Sequence, residues 1–193
     1  LFRDYHRMLR ETAVDAVVPK QGMIVDLGCG YGLVAHWLTL SAPERTVRGV
    51  DADMEKIRVA CATAQANPQV SFEVGDILDW ELPTCDCVLL CDVLHYLPRK
   101  LKAQVLRKAF AALRPGGCLV VRDATRETTR GNRLVEWAER LAVWIGVNQT
   151  RHGLYFEDEK THLTLLSEVG FELPAIQQDA GLGSNALMVA TRP

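Results

Sequence analysis

Two hydrophobic patterns alternate along this chain. Short segments with apolar residues predict strands at residues 23–27, 46–51, 70–74, 85–91 and 118–122. The segment 85–91 is nearly continuously apolar, which is typical of a strand buried on both faces of a sheet. Between these segments, apolar residues recur three and four positions apart, which is typical of amphipathic helices. The helical stretches cover about 5–17, 33–38, the residues after 54, and 99–113.

Strands that alternate with helices predict right-handed crossovers and a parallel sheet with helices on both faces. The region 123–169 departs from this order and contains two further helical stretches, at 132–145 and 158–169. Two more strands are predicted at 170–178 and 185–191, joined by a glycine-containing hairpin loop at 179–184.

The first strand runs directly into the glycine-rich turn Gly28-Cys29-Gly30-Tyr31-Gly32, and a helix follows at once. Strand, tight turn and helix together favour a nucleotide-cofactor cradle, because glycines let the backbone approach a ligand closely. A dinucleotide fingerprint would require its third glycine at position 33, which is Leu33 here.

Acidic residues follow the next two strands. Asp51 lies about 20 residues after the glycines, which is the spacing of a ribose-binding acid. The alternative is that Asp51 or Asp53 caps the helix that begins near Met54, and Asp53 is the better cap. Asp76, after the third strand, is either a cofactor ligand or an ordinary turn aspartate.

Several motifs together resemble class I S-adenosylmethionine (SAM)-dependent methyltransferases of the small-molecule type. They are Asp-Leu-Gly-Cys-Gly-Tyr-Gly from Asp26, the acid Asp51, Gly-Asp-Ile at 75–77, Asp-Val-Leu-His-Tyr-Leu from Asp92, and Leu-Arg-Pro-Gly-Gly from Leu113. The resemblance implies an α/β, Rossmann-like fold. Its seven-stranded, mostly parallel sheet would have helices on both faces and an antiparallel last strand.

The resemblance also implies that S-adenosyl-L-methionine is the cofactor. Asp51 would bind the ribose, Asp76 the adenine amino group, Ile77 would pack on the adenine ring, and the backbone at Cys91 would meet the methionine part. The other residues that the resemblance assigns to the cofactor are Asp26, Gly28, Cys29, Gly30 and Ala52.

His95 and Asp123 follow the fourth and fifth strands, where open α/β sheets bind their ligands. They are the candidate catalytic residues, with His152 as a further candidate base. Alternatively, His95 is a turn histidine bonded to the backbone, and Asp123 forms a structural ion pair with Arg122.

In this family the segments around the variable region form the acceptor pocket. Residues 1–18, with Tyr5 and His6, and residues 124–160 are therefore expected to cover the acceptor site. Trp137 and Trp144 in the second segment would suit an apolar or aromatic acceptor, or they are only the core-facing stripe of a helix.

Length and composition fit a single domain over 1–193, and the start at Leu1 is consistent with a piece of a longer chain. A net charge of −2 argues against nucleic acid as a partner. The sequence contains no run of 18 apolar residues, so we expect no membrane-spanning helix. The six cysteines lack paired Cys-x-x-Cys spacing, and the alternation of a strand is expected to place Cys85, Cys87 and Cys91 on one face. We therefore expect reduced thiols, no metal, and a cytoplasmic location.

The sequence thus predicts an enzyme that transfers a methyl group from SAM to an oxygen or carbon of a small molecule. The alternatives are a non-catalytic SAM-binding module of a larger protein, an NAD(P)-dependent oxidoreductase, and an aminopropyl-transferring enzyme of the polyamine type.

Overall fold

One seven-stranded sheet organises the protein, in a computed structural model that describes residues 14–124, 154–178 and 185–193. The strand order is β3-β2-β1-β4-β5-β7-β6, and every neighbouring pair is parallel except β5–β7 and β7–β6. This confirms the predicted fold class. The strands are β1 (Gln21–Leu27), β2 (Glu44–Asp51), β3 (Val70–Val74), β4 (Cys85–Cys91), β5 (Leu113–Ala124), β6 (Glu172–Gln178) and β7 (Asn185–Thr191).

Helices cover both faces of the sheet and bury two apolar layers against it. The layer on one face includes α1 (Val14–Val17), α2 (Leu33–Ser41) and α3 (Met54–Ala64). The layer on the other includes α4 (Arg99–Ala112), α5 (Glu159–Val169) and a short 3₁₀ helix (Leu94–Tyr96). Because both faces are covered, the central strand β4 is apolar along almost its whole length.

Some predicted boundaries shift for identifiable reasons. The fifth strand begins at Leu113 rather than at 118, because the turn motif is extended and Gly116 N and Gly117 O bond to Arg192. The sixth begins at Glu172 rather than at 170, because Gly170 is the left-handed C-cap of α5. Asp158 precedes α5 as its N-cap and accepts from Thr161 N at 2.7 Å.

The prediction that Cys85, Cys87 and Cys91 share one face of the fourth strand is wrong at Cys85. Cys85 packs in the layer beneath α4, whereas Cys87 packs in the layer beneath α2. The pairing of β4 with β5 has a register irregularity between Cys85 and Cys87. Such a bulge breaks the strict alternation of faces that the prediction assumed.

Several predicted features lie outside the described residues. These are most of the leading helix with Tyr5 and His6, the segment with Trp137, Trp144 and His152, and the hairpin loop 179–184.

Arg45, in β2, ties α1 and the residues after it to the sheet. Its guanidinium is fully buried and donates to Pro19 O at 2.7 Å, Val18 O at 2.9 Å and Leu38 O at 2.9 Å. Its charge is balanced by the carboxylate of Asp15, at 2.5 Å. A guanidinium placed in this way satisfies several carbonyls at once, which a lysine could not do with the same geometry.

Replacing Arg45 with Met is expected to lower the free energy of unfolding by about 3 kcal/mol, because buried carbonyls lose their donor and Asp15 loses its counter-charge. Urea denaturation is the measurement. Arg48→Met is the matched control: Arg48 lies three positions further along β2, and its pair with Glu73 is solvent-exposed. The control is expected to cost less than about 1 kcal/mol. Equal costs would contradict the anchoring role.

Candidate active site

The glycine turn between β1 and α2 is held against the end of β2. The backbone amides of Gly28 and Cys29 both donate to Val50 O, at 2.8 and 3.1 Å. A Cβ atom at Gly28 would overlap Val93, and one at Gly32 would overlap the ring of Phe72. These two glycines are therefore required by the packing of the protein itself.

Gly30 differs from its two neighbours in the turn. A Cβ atom there would meet nothing within 4 Å, and the backbone has φ +54°. Packing therefore does not explain this glycine. Its α-carbon faces open space at the carboxyl edge of the sheet, where ligands of open α/β folds bind.

Asp51 connects this turn to the end of β2. One carboxylate oxygen accepts from Gly30 N at 2.8 Å, and the other accepts from Asp53 N at 2.9 Å. Helix α3 is capped by Asp53, which accepts from Glu55 N and Lys56 N. The expectation that Asp53 is the better cap is confirmed. Each Asp51 oxygen has a second lone pair, so the carboxylate can still accept bonds from a ligand. Ala52, between the two acids, is exposed.

Asp26 is a buried acid near the end of β1. Its side chain is 1% exposed, and among the described residues its Oδ2 atom has no hydrogen-bond partner. Burial, reinforced by the nearby charge of Asp51, raises the pKa of this carboxyl to about 7. An unpaired buried carboxyl is costly, and such groups concentrate at sites that bind ligands.

The loop after β3 carries Asp76 and Ile77. It is joined to β2 by a bond from Gly75 N to Asp51 O at 3.0 Å. Asp76 Oδ1 accepts from Leu78 N at 3.0 Å, so this residue does form the turn that the alternative interpretation predicted. Its role toward a ligand stays a prediction. Ile77 is half-buried and packs against the core beneath α4.

At the end of β4, Cys91 is followed by a residue in an unusual backbone conformation. Asp92 has φ +58°, the one positive φ of a non-glycine residue in the described part of the chain. Its amide donates to Arg122 O at 2.7 Å, and its carboxylate pairs with Arg122 Nη1 at 3.1 Å. A positive φ is energetically costly for a residue other than glycine, and residues in this backbone conformation cluster at functional sites. Burial raises the pKa of the Cys91 thiol.

His95 and Asp123 are in direct contact. The imidazole lies in the 3₁₀ helix after β4, and its Nδ1 bonds to Asp123 Oδ1 near the end of β5. Both side chains are buried, at 2% and 0% exposure. A carboxylate only accepts, so this bond places the proton on Nδ1 and leaves the lone pair on Nε2. Asp123 thus pairs with His95 and Arg122 pairs with Asp92, whereas the alternative interpretation paired Arg122 with Asp123.

The residues before α5 lie against His95. Tyr155 N donates to His95 O at 2.7 Å, and the ring of Phe156 stacks on the imidazole at 5.3 Å with 9° between the planes. Lys102, fully buried on α4, holds this segment by bonds to Glu157 Oε2 at 2.8 Å and Tyr155 O at 2.9 Å. The sequence did not single out Lys102, because one lysine in an amphipathic helix resembles any surface cation.

Known proteins resemble this chain in sequence and in structure. The model of a family described as "Methyltransferase domain" matches residues 24–117. Trans-aconitate 2-methyltransferase of Azoarcus sp. (strain BH72) is 31% identical over 70% of this chain and 54% of its own length. Carboxy-S-adenosyl-L-methionine synthase of Campylobacter curvus is 25% identical over 62% of this chain and 51% of its own.

A structure of human N-acetylserotonin methyltransferase in complex with SAM matches with a TM-score of 0.75 at 20% identity, covering 95% of this chain and 51% of that one. The family model, the relatives and the solved structures together support a class I SAM-dependent methyltransferase. It spans about half the length of the curated relatives it matches.

S-adenosylmethionine is the cofactor of this methyltransferase, and the residues present fit it. The open face of Gly30 leaves room where a backbone must approach a ligand. The unpaired oxygen of Asp26 suits the ammonium group of the methionine part, and the free lone pairs of Asp51 suit hydroxyl donors.

Two further observations concern the described part of the methyltransferase. It has no cluster of three or more His, Cys, Asp or Glu side chains that could hold a metal ion. None of its described helices combines the length and the apolar character that a membrane span requires.

Replacing Gly30 with Val is expected to abolish the binding of S-adenosylhomocysteine, measured by calorimetry, because the side chain would fill the open face. Gly116→Val is the matched control. Gly116 also has positive φ and open space around its Cβ position, but it lies near the amino end of β5. Both variants are expected to lose about 1–2 kcal/mol of stability from backbone strain. Retained binding in a folded Gly30 variant would place the cofactor elsewhere.

The raised pKa of Asp26 predicts a pH-dependent stability without cofactor. The unfolded carboxyl titrates near its ordinary 3.8, and the folded one near 7. Between these values the folded state binds the extra proton, so this group's contribution to stability falls as the pH rises from about 4 to about 7. Asp26→Asn removes that loss. We expect thermal unfolding to show similar stabilities near pH 4 and a more stable variant at pH 8. A difference that does not change with pH would contradict the shift.

Proposed function

We propose that this chain transfers a methyl group from SAM to an oxygen or carbon atom of a small molecule, with His95 and Asp123 as the acid–base pair. The observation that carries the proposal is the His95–Asp123 contact, at the same sheet edge as the open face of Gly30. Val93, two residues before His95, packs directly on Gly28 of the turn, which links the two parts of the site.

For the cofactor, we propose that Asp51 accepts bonds from the ribose hydroxyls. Its position is supported by its bonds to Gly30 N and Asp53 N, which fix the carboxylate at the turn. Charge-assisted bonds of this kind contribute roughly 1.5–3 kcal/mol each. Ala52 follows Asp51 at the same strand end and is proposed to line the ribose site.

The two ends of the cofactor are proposed to lie on either side of Asp51. Asp76 would accept a bond from the adenine amino group, and Ile77 would pack on the ring. Asp26 and the backbone of Cys91 would meet the methionine part, which lies across the ends of β1 and β4. The backbone of Gly28, Cys29 and Gly30 would run beneath the cofactor.

When bound, SAM supplies an activated methyl group whose leaving thioether is neutral. The chain's main task is therefore to align the acceptor, since proximity and orientation lower such a barrier. His95 Nε2 takes the acceptor's proton as the methyl group arrives, and Asp123 stabilises the resulting imidazolium through Nδ1. The burial of both side chains excludes water from this proton transfer.

Residues 1–18 and 124–160 are proposed to cover the acceptor site, within a single domain over 1–193. The contacts of Tyr155 and Phe156 with His95 support this for the end of the second segment. The rings of Phe156 and Tyr96, whose centroids lie 5.3 and 4.1 Å from that of the imidazole, favour an acceptor with an apolar or aromatic part. The net charge of −2 disfavours nucleic acid as the acceptor.

The proposal is tested by binding and by product analysis. Calorimetry should show binding of SAM and S-adenosylhomocysteine and no binding of NAD. Mass spectrometry of reactions with small-molecule pools should then show an acceptor that gains one methyl group. Because one relative is named for making a carboxylated SAM, the cofactor itself is analysed for added mass. Binding of NAD without SAM would overturn the proposal, and SAM binding without any product would favour a non-catalytic module.

His95→Gln is expected to lower kcat roughly 100- to 10,000-fold, because general-base catalysis contributes about that much. The affinity for S-adenosylhomocysteine should stay unchanged. Asp123→Asn is expected to flatten the pH dependence of kcat, since the amide no longer fixes the imidazole tautomer.

His162→Gln is the matched control, because His162 on α5 is as buried as His95 but lies outside the site. Its kcat should match the wild type. A wild-type kcat in His95→Gln would show that no base is needed, and the reaction would then depend on alignment alone.

A further inference from the structure

Lys108, on α4, donates three hydrogen bonds to the loop after β3. Its ammonium group donates to Ile77 O at 3.0 Å, Leu78 O at 2.6 Å and Trp80 O at 2.9 Å. An ammonium group has three protons, and each has a carbonyl acceptor here. Three bonds from one side chain to a segment of four residues restrict that segment strongly.

The loop has a second set of bonds that orients these carbonyls. Asp76 accepts from Leu78 N through its side chain and from Asp79 N and Trp80 N through its own carbonyl. Three amides of the loop therefore bond to Asp76, while the carbonyls of Ile77, Leu78 and Trp80 bond to Lys108. The peptide plane between Ile77 and Leu78 is held from both sides.

The charge balance of the loop also involves Lys108. Its pKa is lowered by partial burial, and the neighbouring charges of Asp79, Asp76 and Glu81 oppose that effect. A cation is thus kept next to three acids. Without it, those three acids, which lie within six residues of one another, would repel each other.

We propose that Lys108 is the positioning residue that shapes the 76–80 loop to receive the adenine ring, and so sets cofactor affinity and the preference for adenine. The inference rests on the proposed function, in which Asp76 and Ile77 meet the adenine. Lys108 lies on a helix on one face of the sheet and acts on the cofactor only through the loop's backbone. It touches neither the acceptor nor the methyl group.

The expected consequence is a selective loss at the nucleobase. We measure the binding of S-adenosylhomocysteine and of S-inosylhomocysteine, which carries an oxygen in place of the adenine amino group. The wild type should prefer the adenosyl ligand. Lys108→Met should lower the affinity for S-adenosylhomocysteine about tenfold and the affinity for S-inosylhomocysteine much less. The preference of the variant for the adenosyl ligand should therefore be smaller than that of the wild type. Lys108→Arg, which keeps the cation, should recover part of the affinity for S-adenosylhomocysteine and part of the preference for it.

Kinetics give a second readout once an acceptor is identified. Lys108→Met should raise the KM for SAM and leave kcat at saturating SAM unchanged, because the reacting atoms are not disturbed. Arg107→Met is the matched control, since Arg107 is the adjacent cation on the same helix and is exposed. It should bind both ligands like the wild type.

Two results would overturn the inference while the wild type still binds S-adenosylhomocysteine. One is wild-type affinity in Lys108→Met. The other is an equal loss for both ligands, which a purely structural role would produce. If Lys108→Met does not fold, the same two affinities are measured for Lys108→Gln, which keeps a hydrogen-bond donor. The same results then support or overturn the inference. Failure of the wild type to bind S-adenosylhomocysteine would instead overturn the proposed function, and this inference with it.

Discussion

The bond from Gly30 N to the Asp51 carboxylate is the contact on which the rest of the site depends. It joins the turn after β1 to the end of β2 across 2.8 Å, while the same turn is held to Val50 by two backbone bonds. With the turn fixed in this way, Gly30 presents an open face and α2 begins directly above it. The first half of the proposed cofactor site is therefore built largely from backbone groups.

The second half is built from pairs of polar side chains, each with at least one buried member. His95 with Asp123, Arg122 with Asp92, and Lys102 with Glu157 bring three ion-pair or hydrogen-bond partners to the region around the ends of β4 and β5. Buried groups of this kind are strongly coupled to their partners, because an unpaired charge in such a place is costly. Their arrangement holds the 3₁₀ helix, and with it the imidazole of His95, in one orientation.

The two halves differ in how well the sequence predicted them. A turn and an acid at a fixed distance leave a local signature in the sequence, and the structure brings the glycine turn and Asp51 together. Their roles toward the cofactor stay a prediction. His95 and Asp123 were identified singly, and their contact was expected only as a shared position at one sheet edge. Lys102 and Lys108 were missed, because each resembles an ordinary lysine of an amphipathic helix. Only the position of their targets, more than 25 residues away in the chain, distinguishes them.

The sequence by itself determined the elements and their order: alternating strands and helices, the turn after β1, and the antiparallel hairpin at the end. These follow from hydrophobic periodicity and from glycine, which act over a few residues. The tertiary structure alone decided the partners: Arg122 with Asp92 rather than Asp123, and Cys85 on the opposite face from Cys87. Such choices depend on which strands are neighbours and on where a bulge shifts their register. Both arise from the packing of the whole sheet, and no local pattern encodes them.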